Sequence, residues 1–340
     1  RMDPEDAAEV RTLTAYEEGT VGSVMSTATE VVTVPSVMTV QKVMERVRLQ
    51  GQEAETIYYV YVVQQDGRLV GVVSLRDLIF CEPGDKVAEV MSTDVKTADH
   101  MADQEDVAAT IQHYDLLALP VVDDEQRLVG IVTVDDIVDV IEEEATEDMH
   151  RMGAVQPLDN SYFGTGFWTF VRKRAPWLIA LFVGELFTGD ALSYFDDVIK
   201  QATVLVFFLP LIISSGGNSG SQSATIIIRA LAVGEVDLRH ARRVFMREIG
   251  MGLVLGLMLS TIGILRALLW GDGGTIAVTV GVTLIAVVTF GSVVGAMLPI
   301  LLERIGLDPA VSSTPFIASL VDLFGIVIYL SIAQWLLGIP

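Results

Sequence analysis

The sequence predicts an α/β tandem repeat followed by an α-helical polytopic membrane domain of five transmembrane helices. Three observations carry that expectation. Charge is divided unequally: residues 1–150 hold 32 Asp/Glu against 10 Lys/Arg, a net of −22, whereas residues 151–340 hold 12 of each. A pattern of strands and helices occurs twice within the acidic half. The neutral half contains five apolar stretches, each long enough to cross a bilayer, which takes about 20 residues.

The charge narrows the partners. A surface this acidic repels nucleic acid and attracts cations, although the same excess would serve a highly soluble protein. Cys81 is the one cysteine, which leaves no intramolecular disulfide and fits a reducing compartment. The opening residues, RMDPEDAAEV, are acidic without an apolar core, so they do not read as a signal peptide. Residues 1–21 read instead as the tail of a preceding helical domain or as a linker.

The repeat shows first in VMST, at 24–27 and again at 90–93, and then in GRLVGVVSLRDLI (67–79), which returns as QRLVGIVTVDDIV (126–138). A helix such as 40–50 precedes the Val-rich strand–turn–strand VYVVQQDGRLVGVVS, LPVVDDEQRLVGIVT is its counterpart, and a helix follows each. This β-α-β-β-α order resembles a tandem pair of cystathionine-β-synthase (CBS) domains, at 22–84 and 85–144. The resemblance implies a regulatory module.

The apolar stretches lie at 177–195, 202–228, 249–270, 275–302 and 315–338, and basic residues assign their sides. Arg172, Lys173 and Arg174 precede the first; Arg229, Arg239, Arg242, Arg243 and Arg247 lie between the second and third; Arg304 lies between the fourth and fifth. The other two loops hold Asp190, Asp196, Asp197 and Asp272 with only Lys200. All basic loops fall on the side of the acidic half, so the amino end is expected in the cytoplasm and the carboxyl terminus outside, with 177–340 as the pore domain. Residues 145–176, which include YFGTGFWTFVRKR, fit a linking, plug-type helix lying against membrane lipid.

Two features within these spans call for a polar environment. PLIISSGGNSGSQSATIII (210–228) begins and ends as a membrane helix, but 214–223 are polar or glycine, and polar groups in lipid need partners. As one helix, 202–228 is about 40 Å long and crosses with tilt. Splitting it would put Arg229 and Lys200 on the same side, against the loop charges. Gly216, Gly217 and Gly220 would serve close helix packing. Asn218 and Gln222, four apart, are not required by packing and suit a wetted cavity. The second feature is Asp322, a lone carboxylate in PFIASLVDLFGIVIYL, and such a residue is a functional candidate by default. Hard divalent cations take oxygen ligands, and magnesium keeps several of its waters. Asp322 with backbone carbonyls one turn earlier, around Ala318, would hold a largely hydrated ion; the alternative is a protonated acid bonded to a neighbouring helix. Glu185 lies near the outer boundary of the first span.

On these residues the chain resembles the MgtE-type magnesium channel/transporter family. The resemblance runs over nearly the whole sequence and is most specific in GGNSGSQSA (216–224), DPAVSSTPFIASLVD (308–322) and VDDIVDVIEEEATED (134–148). It implies a homodimer in a bacterial or archaeal cytoplasmic membrane, with an ion pathway lined by the second and fifth spans and an ion-selecting aspartate at Asp322. Ala318, Asn218, Gly217, Gln222 and Thr314 are the further pore residues. The chain departs from the family at Ser313-Thr314-Pro315, where an asparagine is usual in place of Thr314, so an amide that could contact a hydrated ion is lost.

Residues 135–148 pack eight carboxylates into fourteen positions. Unscreened like charges 4 Å apart repel by about 1 kcal/mol in water and by more near a protein surface, so holding them against a partner subunit requires cations. The expectation is that cytosolic Mg2+ bridges them, compacts the dimer and closes the pore; a solvated acidic helix is the alternative. Asp135, Asp136 and Asp139 belong to this cluster, and the resemblance adds Glu143, Glu144, Glu147, Asp148 and Asp308. SLRDL (74–78) and TVDDI (133–137) are similar to the ribose-contacting Ser/Thr-x-x-Asp pattern of nucleotide-binding CBS pairs. Tyr59, Arg76 and Asp77 are therefore candidates for an adenine nucleotide such as ATP, against an empty structural cleft.

No enzyme motif is legible. His100, His113, His150 and His240 form no HExxH, GDGG (271–274) lies in a loop, and GxxxxGK[ST] is absent. Transport would then run down the electrochemical gradient, where an interior-negative potential contributes about 2.3 kcal/mol per charge per 100 mV. The alternatives with this architecture are a transporter of manganese, cobalt or calcium, and a sodium-coupled magnesium exporter.

Overall fold

The computed structural model describes residues 13–17, 19–158 and 161–339, so most of the tail expected over 1–21 lies outside the described residues. It divides into two units, residues 1–145 and 146–340.

In the first unit, β-branched and aromatic runs give strands, as their fit to a pleated half-buried surface requires. The main elements in order are β1 (Ser26–Thr27), β2 (Val31–Pro35), α1 (Val40–Gln50), β3 (Thr56–Val63), β4 (Leu69–Ser74) and α2 (Leu75–Phe80), then β5 (Ala98–Asp99), α3 (Gln104–Tyr114), β6 (Ala118–Val122), β7 (Leu128–Thr133) and α4 (Val134–Met152), whose last turns fall in the second unit. Among the described residues two sheets form, with orders β2-β3-β4 and β1-β7-β6-β5. The β2–β3 and β5–β6 pairs are parallel and the rest antiparallel. Helix α1 buries Val40, Val43 and Val47, one face at helical spacing.

The two copies exchange their opening segments. Ser26 in the first VMST pairs with Ile131 of β7, and Ser92 in the second bridges Val72 of β4. Glycines admit the approach: a Cβ at Gly130 would lie 2.4 Å from the Ser26 carbonyl oxygen, and one at Gly71 would lie 2.5 Å from Met91 Sδ. The division read from the repeat at 84/85 is thus crossed in both directions, and Val31, Tyr61, Ala118 and Ile131 form a shared buried cluster.

Among the described residues, the second unit contains five helices long and apolar enough to cross a membrane. They are α5 (Phe167–Tyr194), α7 (Leu209–Ala232, continuing a 3-10 stretch, Thr203–Phe208), α8 (Ala241–Trp270), α9 (Gly274–Arg304) and α10 (Thr314–Leu337), with the short α6 (Asp196–Gln201) after α5. The polar stretch 214–223 lies inside the single helix α7. Two elements differ from expectation. Residues 145–176 are not one linking helix: α4 stops at Met152, where Gly153 and a left-handed Ala154 (φ 56°) turn the chain, and 167–176 are the first turns of α5. The third membrane helix starts at Ala241 instead of 249, because a helix continues beyond the hydrocarbon while long basic side chains reach the interface.

Glycines set the packing here too. A Cβ at Gly291 would fall 2.3 Å from the Gly216 carbonyl oxygen, and one at Gly295 would fall 2.0 Å from that of Gly220. Helices α7 and α9 therefore touch backbone to backbone, the arrangement small residues permit in membranes. Leu205, Phe208, Ile212, Leu284, Ile317 and Val321 fill the core around this seam, and the buried Tyr329 hydroxyl donates to the Leu205 carbonyl at 3.0 Å.

Candidate functional site

Helix α7 carries two polar faces. Ser214, Gly217, Asn218 and Ser221 recur every three or four residues and so share one side. They open on a cleft of about 490 Å³ whose far wall is Thr314, Pro315, Ala318 and Asp322 of α10. Gly217 keeps that wall close, since a Cβ there would stand 3.6 Å from Asp322 Oδ1 and 3.7 Å from Ala318 Cβ. Asn218 Nδ2 donates to Ser214 Oγ at 3.3 Å. At the start of α10, Ser313 Oγ accepts from the Phe316 amide at 3.4 Å, and the adjacent Pro315 suits a first turn that has no amide partner to lose.

Five of the six expected pore residues, Asp322, Ala318, Asn218, Gly217 and Thr314, thus line one cleft. Gln222 does not: it sits about 100° further round α7 than Ser221 and is exposed outside the lining. The cleft offers a carboxylate, a carboxamide, hydroxyls and carbonyls, all oxygen donors of the kind a hard, partly hydrated cation takes.

The second face of α7 is dry. Ser219 Oγ bonds Ser292 Oγ at 2.7 Å, and Ser223 Oγ donates to Glu248 Oε2 at 2.8 Å. Glu248 is only 4% exposed. The apolar stretch expected over 249–270 stops one residue short of Glu248. The signal was present: Glu248, Gly252, Gly256, Ser260, Gly263 and Ala267 are the buried stripe of α8 at helical spacing.

The acidic residues are distributed less simply. Asp135, Asp136, Asp139, Glu143 and Glu144 lie on α4. Asp136 accepts from the Thr133 amide (3.2 Å) and hydroxyl (2.5 Å), and Glu144 accepts from Gln104 Nε2 at 2.6 Å. Glu147 and Asp148 occupy its last turns. Arg151 pairs with both Glu147 and Asp308, and Asp308 also accepts from the Ala310 amide at 2.7 Å. Among the described residues, no group of three His, Cys, Asp or Glu side chains converges to hold a metal ion.

At the nucleotide candidates, Tyr59 of β3 lies opposite Ser74 of β4. Ser74 Oγ accepts from the Asp77 amide at 3.0 Å and donates to Asp77 Oδ2 at 2.7 Å. Thr133 and Asp136 repeat the hydroxyl-to-carboxylate bond of this pair in the second copy. Arg76 is next to it in the first turn of α2.

Comparison with known proteins bears on both halves. The family described as "MgtE: Divalent cation transporter" matches residues 209–332, and the CBS domain family matches 21–83 and 87–143. A "Magnesium transporter MgtE" of Thermus thermophilus is 47% identical over 336 residues, 99% of this chain and 74% of the relative. One of Bacillus subtilis is 36% identical over 98% of this chain and 73% of the relative. Among solved structures, the cytosolic domain of the Mg2+ channel MgtE in complex with ATP is 51% identical, with a TM-score of 0.39 over 41% of this chain and 55% of that one.

Proposed function

The chain belongs to the MgtE family of divalent cation transporters, a family of transporters and not of enzymes, and we propose on that premise that it admits magnesium to the cytoplasm down the electrochemical gradient. The observation that carries this reading is Asp322, facing Asn218 and Ser214 across an open cleft. A carboxylate and neutral oxygens there suit an ion that keeps most of its water. One carboxylate neutralises half of a divalent charge, so a second copy of the chain completes the pathway, and a homodimer embedded in lipid is part of the reading. The basic residues in the first turns of α5 and around the α7–α8 junction support CBS domains in the cytoplasm and a carboxyl terminus outside.

Cytosolic magnesium closes the pathway through the acidic cluster on α4, with Glu147, Asp148 and Asp308 as its contacts nearest the pore helix. Repulsion among these carboxylates is relieved when a divalent ion bridges them. The Tyr59 and Ser74–Asp77 arrangement supports an adenine nucleotide, such as ATP, with its ribose held at this ledge. Thr314 at the rim of the cleft favours one second reading, in which manganese or cobalt passes as readily as magnesium. The test is ion entry into proteoliposomes under an interior-negative potential. Magnesium entry that manganese, cobalt and calcium block only weakly is expected; entry of those ions at equal rates would support the second reading, and magnesium movement only with a sodium gradient would overturn the channel.

A further inference from the structure

Arg151 holds two of the proposed regulatory carboxylates in one grip. One guanidinium nitrogen pairs with Asp308 and the other with Glu147, one turn earlier on α4. The two acids lie 161 positions apart in sequence, yet they pair with the two terminal nitrogens of the same planar guanidinium. The three side chains are about one-third exposed, at 36%, 33% and 28%, so solvent ions reach them. Asp308 is also fixed to the pore: it caps the Pro309–Val311 turn through the Ala310 amide, and Ser312 and Ser313, fully buried, connect that turn to the start of α10.

We infer that Arg151 is a tethered counter-ion that competes with magnesium for Glu147 and Asp308 and so sets the concentration at which the pathway closes. The inference rests on the gating reading above. A guanidinium neutralises one charge and occupies the oxygen lone pairs that a divalent ion needs. Magnesium binding therefore includes the loss of two charge-assisted bonds, which lowers its apparent affinity. A purely structural salt bridge has the opposite signature, since its removal would loosen the closed arrangement and raise the magnesium needed to reach it.

The experiment uses the whole chain in proteoliposomes, with flux followed as magnesium is raised on the CBS side at constant ionic strength. For Arg151→Gln, the half-inhibiting concentration should fall by about threefold, the scale of partly exposed ion pairs, with maximal flux unchanged. Arg151→Lys, which keeps the charge but cannot grip both acids through one planar fork, should fall in between and guards against misfolding of the first variant. Inhibition in both variants at the wild-type concentration or above would overturn the role of Arg151 and leave gating intact. Absence of inhibition in the wild type would overturn both.

Discussion

Asp322 opens on a cleft wide enough for water, while Glu248 is 4% exposed and gives an oxygen to Ser223. Burial decides their roles, because an acid in contact with water can exchange ligands and one sealed between helices can only hold them together. Glu248→Gln, which keeps an acceptor for Ser223, should leave thermal stability in detergent close to wild type. Glu248→Leu strands the Ser223 hydroxyl and should cost about 1–3 kcal/mol, the penalty of a buried unpartnered polar group, seen as a lower Tm. Gly217→Ala separates packing from conduction in another way. Its Cβ would stand 3.6 Å from Asp322 Oδ1, an ordinary contact, so the fold should tolerate it while magnesium flux falls as the methyl displaces water from the carboxylate. The place of Asp322 beside a polar cleft is legible in the sequence, because one charge in an apolar run has few explanations. Glu248 was hidden at the edge of a span, and the spacing that aligned Gln222 with Asn218 was too coarse to separate two neighbouring faces of a helix.

The elements owe their positions to glycine as much as to hydrophobic pattern. Gly295 meets the Gly220 carbonyl oxygen so closely that a Cβ would lie 2.0 Å from it, and neither backbone can yield. Gly295→Ala should therefore destabilise the membrane unit by about 1–3 kcal/mol, whereas Gly184→Ala, with nothing within 4 Å, should leave Tm unchanged; scanning fluorimetry of the two purified variants makes the comparison. Spanning lengths gave the fourth and fifth membrane helices almost to the residue, since few charges blur their ends. The linking helix failed because aromatic and basic residues at 162–174 suit a surface helix and the first turns of a spanning one equally. Gly153 and Ala154 then decided where α4 ends. The repeat was readable from VMST and its companion motif, but the exchange of opening segments was not. It depends on which sheet edge lies open beside Gly71 and Gly130, and that is a property of the folded pair.

Across the whole molecule, the net charge of −22 resides in residues 1–150 and the membrane half is neutral. Divalent ions should act mainly on the acidic half. Millimolar magnesium should slow its proteolysis in the full chain well beyond the effect of sodium at equal ionic strength, because screening alone weakens repulsion without bridging it. Equal protection by the two salts would count against magnesium gating. Passage of the ion by Asp322 is tested by magnesium flux into proteoliposomes of wild-type protein and of Asp322→Ala, each shown to be folded by its Tm. Loss of flux in the folded variant is the expected result; flux at the wild-type rate would contradict it and leave Asp322 a structural acid beside a cleft that ions do not use.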